Sequence, residues 1–347
     1  MAWMALMGAD SVAYHEANVA DRADDQAGAA LAYYGSRGET PLVWGGSGAK
    51  MLGLEGEATP DAYRAVFGPG GARLPRTEAN LVSTRRPGIE LVVSPHKSVA
   101  ELGVLGRADD MHAIVDAERD ATMGYLDAMV RKMGGRRGDP VRFTPTSGLT
   151  WATSRHATTR AGDPQVHDHV LVANVVWMRD ERGGPKALDT AFVRDQLHAA
   201  TAVGRLAAAR VAVELGYAIE PDRGRSGRLG SWRIAGIPDE ALAVHSKRQA
   251  QIDDLVGEYA SPRSRGVAAR TDRGAKRREP VADLVRRWRG GAGRGGVPAG
   301  RAVAFGVGCC RLARTSPRPS RRRDAGRLGL GRARVRQPPV VHEGVRS

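Results

Sequence analysis

The sequence predicts an α+β fold: a largely antiparallel sheet flanked by helices, with an irregular C-terminal tail. Three observations predict it. Several short stretches are β-branched or alternate with period two, two long stretches carry apolar residues at helical spacing, and strands and helices do not alternate regularly.

The elements follow in order. Residues 89–94 are β-branched and read as a strand, and Pro95-His96-Lys97-Ser98 reads as the start of a helix. Over 111–133, Ile114, Ala117, Ala121, Tyr125 and Met129 recur at helical spacing, and Gly134-Gly135 is the expected stop. Residues 141–144 and 148–156 are rich in Thr, Val and Trp, and 166–177 (VHDHVLVANVVW) form one long β-branched run. Between the last two, Gly162-Asp163-Pro164 is a turn signature. An alanine-rich helix is expected over 190–215, with Gly216 at its end.

The 347 residues, 41% of them hydrophobic, are enough to bury a core. No apolar run reaches membrane-spanning length and the N-terminus has no basic leader, so a cytoplasmic protein is expected. The two cysteines, Cys309 and Cys310, are adjacent and lie near the C-terminus, which excludes a disulfide framework and a Cys-ligated zinc in the main body. The net charge of +15 is unevenly spread. Residues 286–347 hold 16 arginines, no lysine and two acids, whereas the 285 residues before them hold 37 basic and 36 acidic side chains. A nucleic-acid groove in the body must therefore come from local clustering, not from overall charge. The expected division is a folded domain over 1–285 and an Arg/Gly/Pro-rich tail over 286–347. That tail reads as a disordered basic arm or as the product of a shifted reading frame, since it has too little apolar surface to offset its chain entropy.

The most informative segment runs from His156 through Asp163-Pro164-Gln165 to His167-Asp168-His169. Residues i and i+2 of a strand share a face, so His167 and His169 point the same way. A turn at Asp163-Pro164 folds the His156 strand alongside and brings a third imidazole to the pair. Three neutral imidazoles on a rigid sheet make a facial site for a divalent cation with positions left open. The competing reading is three unrelated polar positions in the core or at the surface. Lys97 and Ser98 stand where a helix N-terminus could meet a phosphate. Arg223, Arg225 and Arg228 lie in a Gly-rich basic turn that could track a nucleic-acid backbone or simply be solvated. Gly45-Gly46-Ser47-Gly48-Ala49-Lys50 lacks the spacing of an ATP-binding phosphate loop.

His156, the Asp163-Pro164-Gln165 turn, His167 and His169 resemble, position by position, the three-histidine motif of the MobF-type (TrwC-like) conjugative relaxases of the HUH endonuclease superfamily. Tyr33-Tyr34 with Gly38, Trp44, Gly46, Gly48 and the stretch 52–56 is similar to the family's N-terminal region, and 88–99 to its second motif; together these cover most of residues 10–260. The resemblance implies nicking of single-stranded DNA at a transfer origin by a tyrosine, leaving a 5′-phosphotyrosyl link, with one divalent metal ion (Mg2+ or Mn2+ first, then Zn2+ or Ni2+). It implies other conjugation proteins as further partners. By position Tyr14 is the first candidate nucleophile, with Tyr33 and Tyr34 as candidates for a second transfer. Glu90 stands where the family commonly has an aspartate that supports the metal-ligating histidines, one methylene longer. Two other readings stay open: a DNA-binding remnant with little cleavage, and an unrelated histidine-metal enzyme.

Overall fold

The structure, a computed structural model, describes residues 2–23, 39–68, 86–134, 142–159, 161–178, 185–222, 230–257, 260–271 and 281–294. The first third holds β1 (Ala2–Leu6), α1 (Ala9–Ala23), β2 (Val43–Gly45), α2 (Ser47–Met51), α3 (Pro60–Phe67), β3 (Gly88–Val93) and α4 (Lys97–Val104). Then come α5 (Ala108–Met129), β4 (Arg131–Gly134), β5 (Arg142–Pro145), β6 (Trp151–Thr158), β7 (Pro164–Ala173), β8 (Val176–Trp177) and β9 (Pro185–Lys186). The rest is α6 (Thr190–Glu214), β10 (Ile219–Asp222), β11 (Ser231–Ile234), α7 (Asp239–Val244), α8 (Lys247–Val256), α9 (Pro262–Thr271) and α10 (Val281–Arg294).

Five strands form one antiparallel sheet in the order β1-β3-β7-β6-β2, and the expected α+β class is the observed one. The β-branched runs fall at its centre, because β3 and β7 are covered over most of their length on both faces. On one face Val12 and Val19 of α1 and Tyr63, Val66 and Phe67 of α3 pack over Trp44, Ala152 and Leu171. On the other, Met123 and Leu126 of α5 with Val193 and Ala200 of α6 pack over Ile89, Leu91, Val170 and Val172. The two long helices approach closely because Gly204 has no side chain. A Cβ there would lie 2.0 Å from Thr122 Oγ1 and 2.7 Å from the Glu118 carbonyl oxygen.

Several expected bounds shift for local reasons. The helix expected to reach 133 ends at Met129, and Arg131–Gly134 instead pairs with Arg142–Pro145 as a hairpin. The long run 166–177 is broken at Asn174. Its side chain leaves the ladder, donating to Arg86 O at 3.0 Å and accepting from Leu188 N at 2.9 Å. The boundary expected after residue 285 falls inside α10. There Trp288 is buried and its Nε1 donates to Gly162 O at 2.8 Å, so packing against the body continues past residue 285. No described helix is long and apolar enough to cross a membrane.

Candidate functional site

The site is built on the β6–β7 hairpin. Directly opposed residues of an antiparallel pair share a face. His156 lies opposite His167 and Ser154 opposite His169, which puts all three histidines on the face carrying α1. The hairpin closes through Gly162 at φ 75°, a left-handed conformation glycine adopts at little cost. Gly162 N donates to Thr159 O at 3.0 Å, and Asp163 N to Thr159 Oγ1 at 3.2 Å. The burial of β7 alternates from Pro164 to His169 and is continuous from Val170 onward, so the strand is open on one face only along its histidine stretch.

The three imidazoles converge. Their ring centroids lie 5.4 Å (His156–His167), 4.2 Å (His156–His169) and 5.0 Å (His167–His169) apart. One nitrogen from each falls within 4.8 Å of the others, so the donor set fits a single cation. His167 Nδ1 donates to Gln165 O at 2.8 Å and His169 Nδ1 lies 2.5 Å from Glu90 Oε1. With Nδ1 so engaged, Nε2 of both rings is the nitrogen that would ligate.

Glu90 collects three groups: His169, Ser11 Oγ at 3.3 Å, and His15 Nε2 at 3.8 Å. Burial pushes its carboxyl upward, but the hydrogen bonds from His15 and His169 outweigh burial and hold it well below the usual carboxylate range. Tyr14, on α1, is 42% exposed, its ring 5.0 Å from that of the buried His15. Its hydroxyl donates to Glu39 Oε1 at 3.1 Å, and Glu39 Oε2 lies 3.8 Å from His156 Nε2.

Behind the histidines the same hairpin carries charge. Arg155 and Asp168, directly opposed, form a two-pronged pair at 2.7 and 2.8 Å. Arg155 also reaches Asp116 and His112 of α5, both at 2.8 Å, and Arg119 bonds Asp116. Burial alone would lower the Arg155 pKa; its bonds to Asp168 and Asp116 outweigh that and raise it.

Other expected site residues separate. Lys97 opens α4, and burial lowers its pKa against the opposing pull of Asp163 and Glu101. Ser98 does not face a ligand: it is fully buried, its Oγ accepts from Ile234 N at 2.9 Å and lies 2.9 Å from His96 Nδ1. His96 caps the helix, its Nδ1 accepting from Ser98 N at 3.2 Å, and the Ser98 hydroxyl ties α4 to β11, so that hydroxyl is engaged within the fold and not offered to a phosphate. Tyr33, Tyr34, Arg223, Arg225 and Arg228 lie outside the described residues. Three residues were not expected at the site: Ser11, His15 and Glu39. Ser11 and His15 stand four apart on α1, a spacing that marks one helix face beside Tyr14. Glu39 leaves no such signal, because a long-range strand contact places it.

Comparison with known proteins gives a consistent picture. The profile of the TrwC relaxase family matches residues 8–294. The multifunctional conjugation protein TraI of Escherichia coli is 35% identical over 260 residues, 70% of this chain but 14% of that protein, and TraI of strain K12 is 34% identical over 260. The chain thus spans about a seventh of the length of these curated relatives. Among solved structures, the conjugative relaxase TrwC in complex with oriT DNA, metal-bound, superposes with a TM-score of 0.69 at 22% identity, covering 86% of this chain and all of that one. TrwC complexed with a 27-mer DNA comprising the recognition hairpin and the cleavage site gives 0.67, also at 22% and with the same coverage. At this identity the two structures bear on the fold alone.

Proposed function

The chain belongs to the TrwC relaxase family, and from that premise we propose that it nicks one DNA strand at a transfer origin by tyrosine transesterification. The observation that carries the reading is the convergence of His156, His167 and His169 on the open stretch of the hairpin, beside the helix that bears Tyr14.

In the proposed step the Tyr14 oxygen attacks the scissile phosphorus. A phosphorus–Oη bond forms, the bond to the 3′ oxygen breaks, the phenolic proton is given up, and the leaving oxygen ends protonated as a 3′-hydroxyl. The 5′-phosphotyrosyl ester keeps the linkage energy, so the strand can be rejoined without a nucleotide cofactor. A phenol is a weak nucleophile at neutral pH and gains from a fixed position. His156, His167 and His169 would hold one divalent cation, Mg2+ or Mn2+ by preference, which when bound offsets the charge that builds on the phosphate oxygens. Glu90 fixes the His169 ring so that Nε2 faces the cluster. Lys97, and Arg223, Arg225 and Arg228 between β10 and β11, would hold the DNA backbone. The proposal assigns nicking to the expected domain, residues 1–285, with α10 added because the family match extends to residue 294, and assigns the reaction to the cytoplasm.

The test is incubation of the full chain with Mn2+ and single-stranded oligonucleotides from candidate transfer origins, followed by denaturing electrophoresis. The reading expects a protein–DNA adduct that survives detergent and is absent from Tyr14→Phe. An adduct that persists in Tyr14→Phe moves the attack to Tyr33 or Tyr34. DNA retention without any adduct would instead make the chain a binding remnant.

A further inference from the structure

We propose that Glu39 is a positioning residue for strand cleavage: it holds the Tyr14 hydroxyl beside the histidine cluster. The proposal rests on the reading of Tyr14 as the nucleophile and goes beyond it, since neither the three-histidine motif nor the carboxylate behind it includes this position.

Glu39 is held by the sheet. Its backbone bridges that of His156 as an antiparallel pair, which puts the two side chains on one face. The next residue is clamped from both sides: Thr40 N donates to Arg155 O at 2.9 Å, and Arg155 N donates to Thr40 Oγ1 at 2.7 Å. Arg155 is itself fixed from the back face by Asp168 and Asp116. Glu39 therefore sits on a rigid sheet edge, its side chain only 15% exposed.

Tyr14 is in the opposite situation. It projects from a helix, is 42% exposed, and without a restraint its ring would move among rotamers. The hydrogen bond at 3.1 Å to Glu39 Oε1 ties its oxygen to the sheet. The second carboxylate oxygen lies 3.8 Å from His156 Nε2, so one side chain reaches both the attacking atom and a candidate ligand. A nucleophile misplaced by about 1 Å can lose on the order of 100-fold in rate.

The test compares Glu39→Gln and Glu39→Ala with wild type, using the oligonucleotide that gives the adduct with Mn2+. Three quantities are read: single-turnover adduct rate, oligonucleotide affinity, and Mn2+ affinity by calorimetry without DNA. The proposal expects Glu39→Ala to slow adduct formation on the order of 10- to 100-fold while both affinities stay within about twofold of wild type. Glu39→Gln, whose amide oxygen accepts the same hydrogen bond, should recover most of the rate. An unchanged rate in Glu39→Ala overturns the proposal, provided Tyr14→Phe has lost the adduct. A Gln variant as slow as Ala with Mn2+ affinity kept overturns it in favour of a carboxylate that accepts the phenolic proton, and a collapse of Mn2+ affinity overturns it in favour of a metal ligand. An adduct that persists in Tyr14→Phe removes the premise instead.

Discussion

The two faces of the β6–β7 hairpin solve opposite problems with residues one position apart. On the back face, Arg155 and Asp168 pair within the protein, and Asp116, Arg119 and His112 of α5 complete the network. Every charge there meets an opposite charge that the fold supplies. On the site face, His156, His167 and His169 crowd to centroid distances of 4.2–5.4 Å. Three neutral imidazoles that close cannot satisfy one another's lone pairs; a cation taken from solution would accept them. Asp168, between two of those histidines in sequence, belongs entirely to the other face. Polar residues on one strand thus divide into those that hold the fold and those that, on the proposed reading, would hold a cation, and strand alternation alone makes the division.

That contrast breaks most directly by removing one residue from each face. Asp168→Ala leaves Arg155 buried without its main partner, a change that costs about 3–5 kcal/mol. Urea unfolding should show it as a lower midpoint, with or without metal. His167→Ala should leave metal-free stability within about 0.5 kcal/mol but weaken Mn2+ binding and adduct formation by on the order of 100-fold or more. If His167→Ala unfolds the chain while Asp168→Ala is silent, the faces have been assigned the wrong way round.

Much of this was legible in the sequence because it rests on local period. The alternation over residues 164–169 and the Gly162-Asp163-Pro164 turn suffice to bring His167, His169 and His156 to one face, and the order of strands and helices carries the α+β class. What escaped depends on distant parts of the chain. Arg155 and Asp168 are thirteen residues apart with nothing local to mark them as a buried pair, and Glu39 is placed by a bridge to His156 more than a hundred residues on. The end of α5 was misjudged because Arg131–Gly134 has helical neighbours on one side and a strand partner on the other, and the partner wins. Trp288 sits in an arginine-rich stretch whose composition hides one helical turn's worth of apolar side chains, Leu284, Val285 and Trp288.

Glu90 refines the comparison, because its charge lies on the site face yet is partnered from within by His15 and His169. Its pKa is depressed in the folded protein, so the stability it contributes is present above its ordinary value of 4.5 and is lost as the pH falls below that value. In metal-free protein the urea midpoint should therefore decline with acid below about pH 4.5, and Glu90→Gln should flatten the decline. An acid slope unchanged by the substitution would show that the carboxylate is no better partnered in the folded chain than in the unfolded one.

The smallest effect is expected at Ser98, where the contrast applies to a helix rather than a strand. A hydroxyl at a helix N-terminus can face a bound phosphate or finish the fold. Here the Oγ is fully buried, accepts from Ile234 N and sits against His96 Nδ1, so it joins α4 to β11 and has nothing left to offer a ligand. Ser98→Ala leaves a buried backbone N–H without its acceptor, at a cost of about 1–3 kcal/mol. It should leave oligonucleotide affinity within about twofold, while Lys97→Ala, one position earlier and partly exposed, should lower that affinity and flatten its salt dependence. A Ser98→Ala variant of wild-type stability that binds DNA weakly would return the hydroxyl to the site face, and would mean that burial in this region is a poor guide to which polar groups the DNA meets.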